Sequence, residues 1–109
     1  MKSRLTRVFA VLLFAAVFSA VSQAAMVRGR LVHGANGYPT AGIAVTVYNP
    51  RLGRSSPSYT DGYGMYYIYN VPPGSYYLEL WVYPSGNPIV YPIQVGDPYT
   101  DIPQIAVPF

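Results

Sequence analysis

The stretch Thr60–Leu80, TDGYGMYYIYNVPPGSYYLEL, decides how this chain folds. Asp61-Gly62, with Gly64 close behind, supplies residues that tolerate the positive φ of a chain reversal. Met65 to Tyr69 is aromatic and branched, the composition a strand favours. Pro72-Pro73-Gly74 cannot extend a ladder, because neither proline carries an amide hydrogen and Gly74 frees the backbone to turn. Beyond that corner Tyr76, Leu78, Leu80 and Val82 alternate with Tyr77, Glu79, Trp81 and Tyr83. A carboxylate is seldom buried unpaired, so Glu79 marks the outward face of the second strand. The expectation is a β-hairpin with one dry side.

Upstream, Val27, Gly29 and Leu31 alternate with Arg28, Arg30 and Val32, so Met26 to His33 reads as a strand. Gly34, Asn36, Gly37 and Pro39 mark a loop to Gly42. Ile43, Val45 and Val47 alternate with Ala44, Thr46 and Tyr48 in a second strand, which Asn49-Pro50 closes. Residues 50–57, PRLGRSSP, form an irregular polar connection into a short strand around Ser58 to Thr60. Downstream, Pro84–Pro88 is a turn, Ile89 to Val95 a strand, Gly96-Asp97-Pro98 another turn, and Thr100 to Val107 a last strand. Pro92, Pro103 and Pro108 each delete a ladder donor, which places those strands at sheet edges and blunts edge-to-edge pairing. No segment after the leader has a helical period. Seven short strands divided by turns predict an all-β, seven-stranded antiparallel two-sheet sandwich.

The first residues stand outside that fold. Lys2, Arg4 and Arg7 precede an unbroken apolar run, Val8 to Phe18, and Ser22-Gln23-Ala24 offers small residues where a signal peptidase cuts. The run falls short of the roughly 20 residues that a membrane span needs. Residues 1–24 are therefore read as a cleavable signal peptide, and 25–109 as one small exported domain, periplasmic or at the cell surface. The whole-chain charge of +3 invites a nucleic-acid reading. Without the leader, Arg28, Arg30, Arg51 and Arg54 balance Asp61, Glu79, Asp97 and Asp101, and that reading falls. The chain contains no cysteine, so aromatic and branched packing must hold so small a domain; the 12 tyrosines are its main resource.

The spacing carries a resemblance. Val27-x-Gly29-x-Leu31, Gly37-x-Pro39-x-x-Gly42-x-x-Val45-x-Val47 and Thr60-Asp61-x-x-Gly64-x-Tyr66-x-Ile68-x-x-Val71-Pro72-x-Gly74-x-Tyr76-x-Leu78 together resemble the carboxypeptidase regulatory-like domain. That family has a transthyretin-like (prealbumin-like) seven-stranded sandwich. The likeness runs from Val27 to about Leu80. It implies that Tyr66, Ile68, Tyr76 and Leu78 point inward, whereas alternation alone leaves Tyr66 and Tyr67 as alternatives. It also implies a non-catalytic accessory role. Two related chemistries fail residue by residue. The Lys–Asn isopeptide bond of collagen-adhesin-type domains has only Lys2 to draw on, and Lys2 leaves with the leader. The transthyretin-like hydrolases of purine breakdown need several histidines and a basic tail ending in serine; here His33 stands alone and the chain ends Val107-Pro108-Phe109.

Candidate chemistry is sparse. His33 lacks the companions that a metal site or a general base requires. Asp61, Asp97 and Asp101 with carbonyls have the oxygen chemistry of a calcium site, yet Asp61-Gly62 and Asp97-Pro98 are adequately explained as turns. No phosphate loop, paired carboxylates or nucleophile elbow occurs, so no catalytic residue, metal or cofactor is expected. Arg28, Arg30, Arg51 and Arg54 offer a side reading, recognition of carboxylates or lipopolysaccharide phosphates. The exposed aromatics are the better signal. If Tyr66, Ile68, Tyr76, Leu78 and Leu80 fill the core, two paired strands present Met65, Tyr67, Tyr69, Tyr77, Trp81 and Tyr83 as one continuous outward surface. Such rings pack on each other, anchor a protein partner, or stack on sugar. The reading taken forward is a binding module contacting an envelope protein through Tyr67, Tyr69, Tyr77, Trp81 and Tyr83. A glycan ligand and self-association into an envelope subunit are its alternatives.

Overall fold

The structure, a computed structural model, describes residues 25–83 and 86–109. The signal peptide expected over 1–24 and the first two residues of the expected Pro84–Pro88 turn lie outside the described residues. Nine strands follow in order: β1 (Ala25–His33), β2 (Ala44–Asn49), β3 (Gly53–Arg54), β4 (Ser58–Tyr59), β5 (Met65–Val71), β6 (Gly74–Trp81), β7 (Ile89–Val95), β8 (Tyr99–Asp101) and β9 (Ile105–Val107). The period of two in the sequence becomes burial directly. Along β1, Ala25, Val27, Gly29 and Leu31 are buried while Met26, Arg28 and Arg30 are half-buried.

Two sheets enclose the core. In the first, β1 is central, with β5 on one side and β8 and then β9 on the other. In the second the order is β3-β2-β6-β7, and β4 also pairs with β2. Val27, Leu31, Tyr66, Ile68 and Val71 from the first sheet meet Val45, Val47, Tyr76, Leu78 and Leu80 from the second. Each such side chain contributes about 1.5–3 kcal/mol when fully buried, and that packing stands in for the missing disulfides. Tyr66, at 0% exposure, is the inward one of its pair, and Tyr67 is exposed. Pro92 sits within β7, an edge strand of the second sheet, and Pro103 separates β8 from β9. Among the described residues no helix is long and apolar enough to cross a membrane.

Three expectations need correction. The first is the hairpin: β5 pairs with β1, β6 pairs with β2 and β7, and so the two strands belong to different sheets. The Pro72-Pro73-Gly74 corner carries the chain across the sandwich rather than back along one ladder. A left-handed Asn70 (φ 61°) and an irregular register between Ala25 and Val27 interrupt the β5 pairing just before its last pair, Ala25 with Val71. The Tyr76 hydroxyl then donates to the Pro72 carbonyl at 2.6 Å and pins the corner.

The second correction concerns strand count and direction. The expected last strand is two, β8 and β9, and both run parallel to β1. After β7 the chain leaves the second sheet for the free edge of β1, and Pro103 interrupts its pairing there. The irregular 50–57 connection likewise holds the two-residue β3, which pairs with Tyr48 and Asn49. Among the described residues the sandwich is therefore mixed and has nine strands, in place of the seven antiparallel ones expected. The third correction is Glu79. It does lie on the outward face of β6, yet it is only 5% exposed.

Candidate functional site

Because β5 and β6 lie in opposite sheets, the expected continuous aromatic surface does not exist. Tyr67 and Tyr69 belong to the outer face of the first sheet, Tyr77 and Trp81 to that of the second, with the core between them. Tyr83 follows two residues past the end of β6 and is exposed.

On the first face Tyr67 stands directly across from Arg28. The Arg28 guanidinium lies 4.4 Å from the centre of the Tyr99 ring and forms an ion pair with Asp101. That bond holds the Asp101 carboxyl below its ordinary range and raises Arg28. Arg30 is engaged too, its Nε donating to the Tyr63 carbonyl at 3.0 Å. Asp61 works as a turn residue. Its Oδ1 accepts from the amides of Tyr63 (2.9 Å) and Met65 (3.0 Å). His33 packs edge-on against Phe109, with ring centres 5.5 Å apart. Among the described residues no three candidate ligands converge on a metal position.

The second face is built differently. Pairing of β2 with β6 sets Thr46 opposite Glu79 and Tyr48 opposite Tyr77, while β3 brings Arg54 opposite Tyr48. Glu79 is thereby surrounded by donors. Arg54 reaches it with Nε at 2.6 Å and Nη2 at 2.9 Å, and the Thr46 hydroxyl donates at 2.7 Å. Charge-assisted, two-pronged bonding of this kind is what makes a buried carboxylate tolerable. It holds the Glu79 carboxyl below its ordinary range, mainly through Arg54 and further through Thr46, against the opposing effect of burial. The same bonds fix the guanidinium in place. It lies 4.9 Å from the centre of the Tyr48 ring and 5.6 Å from that of Trp81. The Trp81 indole N–H donates to Thr46 Oγ1 at 2.9 Å, so Thr46 bridges indole and carboxylate. The result is an arginine held between two aromatic rings on the outer face of a sheet, with Tyr77 beside them, 46% exposed.

The sequence reading named Tyr77, Trp81, Glu79 and Arg54 but missed Thr46 and Tyr48 as members of this cluster. Alternation placed both on the outward side of β2. What brings them to Glu79 is the β2–β6 register, which a single strand's pattern does not contain.

No protein-family model matches the sequence, and no curated protein does. Solved structures share its shape. A variant of BcpA, the major pilin subunit of Bacillus cereus, aligns with a TM-score of 0.59 at 10% identity, over 79% of this chain and 30% of that one. The T6 backbone pilin of Streptococcus pyogenes gives 0.56 at 21% identity, over 66% and 16% of the two chains. The 5-hydroxyisourate hydrolase of Klebsiella pneumoniae gives 0.57 at 16% identity, over 75% and 90%. The chain thus spans less than a third of either pilin. At these identities the likeness is one of fold: a prealbumin-like β-sandwich shared with pilin domains and with a transthyretin-like enzyme.

Proposed function

We propose that this chain is a non-catalytic, exported interaction module of the cell envelope, of the carboxypeptidase regulatory-like type, whose contact surface is the outer face of its second sheet. One observation carries the reading: Glu79 and Thr46 lock Arg54 and Trp81 in place, with Tyr48 and Tyr77 alongside. Tryptophan, tyrosine and arginine dominate the binding energy of protein interfaces, and side chains already fixed lose little entropy on contact. The first face sets Tyr67 and Tyr69 beside an Arg28–Asp101 pair whose carboxylate is exposed, where Glu79 is buried, and it is the lesser candidate.

Similarity to pilin subunits, which are parts of an assembly, supports a structural or partner-binding role and a surface location. Similarity to a hydrolase does not carry over. The chain has one histidine, and that residue packs on Phe109. The motif glycines serve the fold: Gly64 has φ +77°, and a side chain there would press on the Leu31 carbonyl.

The test is recovery of a partner from envelope extract by the tagged domain. Arg54→Ala and Tyr77→Ser should lose that partner, while Tyr67→Ser with Tyr69→Ser keeps it. Loss only in the Tyr67/Tyr69 variant would move the surface to the first sheet. Self-association through the second face would instead appear as concentration-dependent sedimentation that Arg54→Ala abolishes.

A further inference from the structure

Away from the Arg54–Trp81 cluster, the outer face of the second sheet is indented where β2 ends, β6 begins and β7 ends. The recess measures about 420 Å³ and is lined by Asn49, Ser75, Tyr77, Pro92 and Gln94 among others, none of them charged. We infer that it is a binding subsite for a neutral saccharide, one or two pyranose rings in size.

Its construction favours that class of ligand. Asn49 is spent on the wall: Nδ2 donates to the Ser75 carbonyl at 2.9 Å, and Oδ1 accepts the amides of Arg51 and Leu52. These bonds fix the Asn49 side of the recess. Tyr77 and its cross-strand partner Pro92, both exposed, supply flat apolar surface suited to the C–H face of a sugar ring. Ser75 lies directly opposite Gln94, whose Nε2 donates to Ser75 Oγ at 2.6 Å. That bond leaves the Ser75 hydroxyl proton and the Gln94 carbonyl oxygen to face outward. Turning the amide over exchanges the roles but still presents one donor and one acceptor side by side. Neighbouring hydroxyls of a pyranose each donate and accept, and so complement this pair. The volume is in the range of small-ligand sites. An uncharged lining selects against phosphorylated or acidic ligands, whose desolvated charge would go unpaired.

This subsite turns on Ser75 and Gln94, the protein contact proposed above on Arg54 and Trp81; Tyr77 borders both, so Gln94→Ala and Arg54→Ala are the variants that tell the two apart. The experiment is a titration of the ¹⁵N-labelled domain, residues 25–109, with neutral mono- and disaccharides, a sugar phosphate and a proline-rich peptide. A neutral sugar should give saturable shifts confined to the amides of Ser75, Tyr77 and Gln94 and the Gln94 side-chain NH₂. Gln94→Ala and Tyr77→Ala should each weaken binding about two- to tenfold, the loss of one charge-neutral hydrogen bond or one stacking surface. Arg54→Ala should bind sugar as the parent does. Absence of localised shifts with every neutral sugar at millimolar concentration would overturn the inference. So would tighter binding of the sugar phosphate or of the peptide at these amides.

Discussion

Tyr66 stands directly across the β1–β5 ladder from Gly29, and its ring occupies the space a side chain on Gly29 would need. A β-carbon at Gly29 would lie 2.6 Å from Tyr66 Cζ, and the phenol is fully buried, so neither side can retreat into solvent. The glycine costs the strand some intrinsic stability and in return admits the largest fully buried side chain in the core. Gly29→Ala is expected to destabilise the domain by about 1–3 kcal/mol, the range for overpacking. Tyr66→Leu alone loses ring packing, but Gly29→Ala combined with Tyr66→Leu should cost less than the sum of the two. A coupling of at least about 0.5 kcal/mol in urea titrations supports the contact, and strict additivity refutes it.

The Tyr66 hydroxyl makes no hydrogen bond despite its burial, and burial pushes its acidity far below that of an ordinary phenol. An unpaired buried hydroxyl costs about 1–3 kcal/mol. Tyr66→Phe removes the hydroxyl and keeps the ring, so this variant should match or exceed the parent in thermal stability. A fall in Tm on that substitution would show that the hydroxyl is bonded in solution.

Glu79 predicts an acid sensitivity with a definite sign. Its carboxyl lies lower in the folded chain than its ordinary value of 4.5, so the unfolded chain takes up a proton first as pH falls. The stability this provides is complete above that ordinary value and is lost as pH drops through it toward the folded value. Glu79→Gln keeps the shape but weakens the bonds to Arg54 and Thr46. It should lower stability at neutral pH by about 2 kcal/mol, toward the low end for charged bonds because Arg54 is screened by solvent. It should also flatten the decline between neutral pH and strong acid. The Arg28–Asp101 pair acts in the same direction from an exposed position and leaves a residual slope. Equal slopes for parent and Glu79→Gln would remove Glu79 from the account.

How far the sequence disclosed this structure depends on the range of the interaction. Alternation is a property of one strand, and it separated Leu78 and Leu80 from Tyr77 and Trp81 correctly. Proline placement foretold that β7 lies at an edge. Pairing belongs to two strands, and there the reading failed. Adjacent strands joined by a tight corner suggested a hairpin, yet a corner without two of its amide donors can equally bridge two sheets. The burial of Glu79 was hidden for the same reason. Its tolerance depends on Arg54, 25 residues away and positioned by a two-residue strand inside what reads as a loop. The split of the aromatic patch follows directly from that failure of pairing.

The sheet assignment itself can be tested with cysteines, since the chain has none of its own. Arg28 and Tyr67 are cross-strand partners, and the Tyr67 amide points away from β1 to donate to Ser58 Oγ at 3.1 Å. The pair is thus a non-hydrogen-bonded one, whose Cα atoms lie about 4.5 Å apart, inside the span a disulfide bridges. Arg28→Cys with Tyr67→Cys should oxidise readily and close the β1–β5 ladder, visible as a mobility shift that reductant reverses. Tyr67→Cys with Tyr77→Cys would form an intramolecular bridge only if β5 and β6 were neighbours with outward side chains on one surface. In the sandwich these positions face away from each other across the core, and this second variant should remain reduced as a monomer. A ready Tyr67–Tyr77 bridge would restore the hairpin and reunite the aromatic patch on a single face.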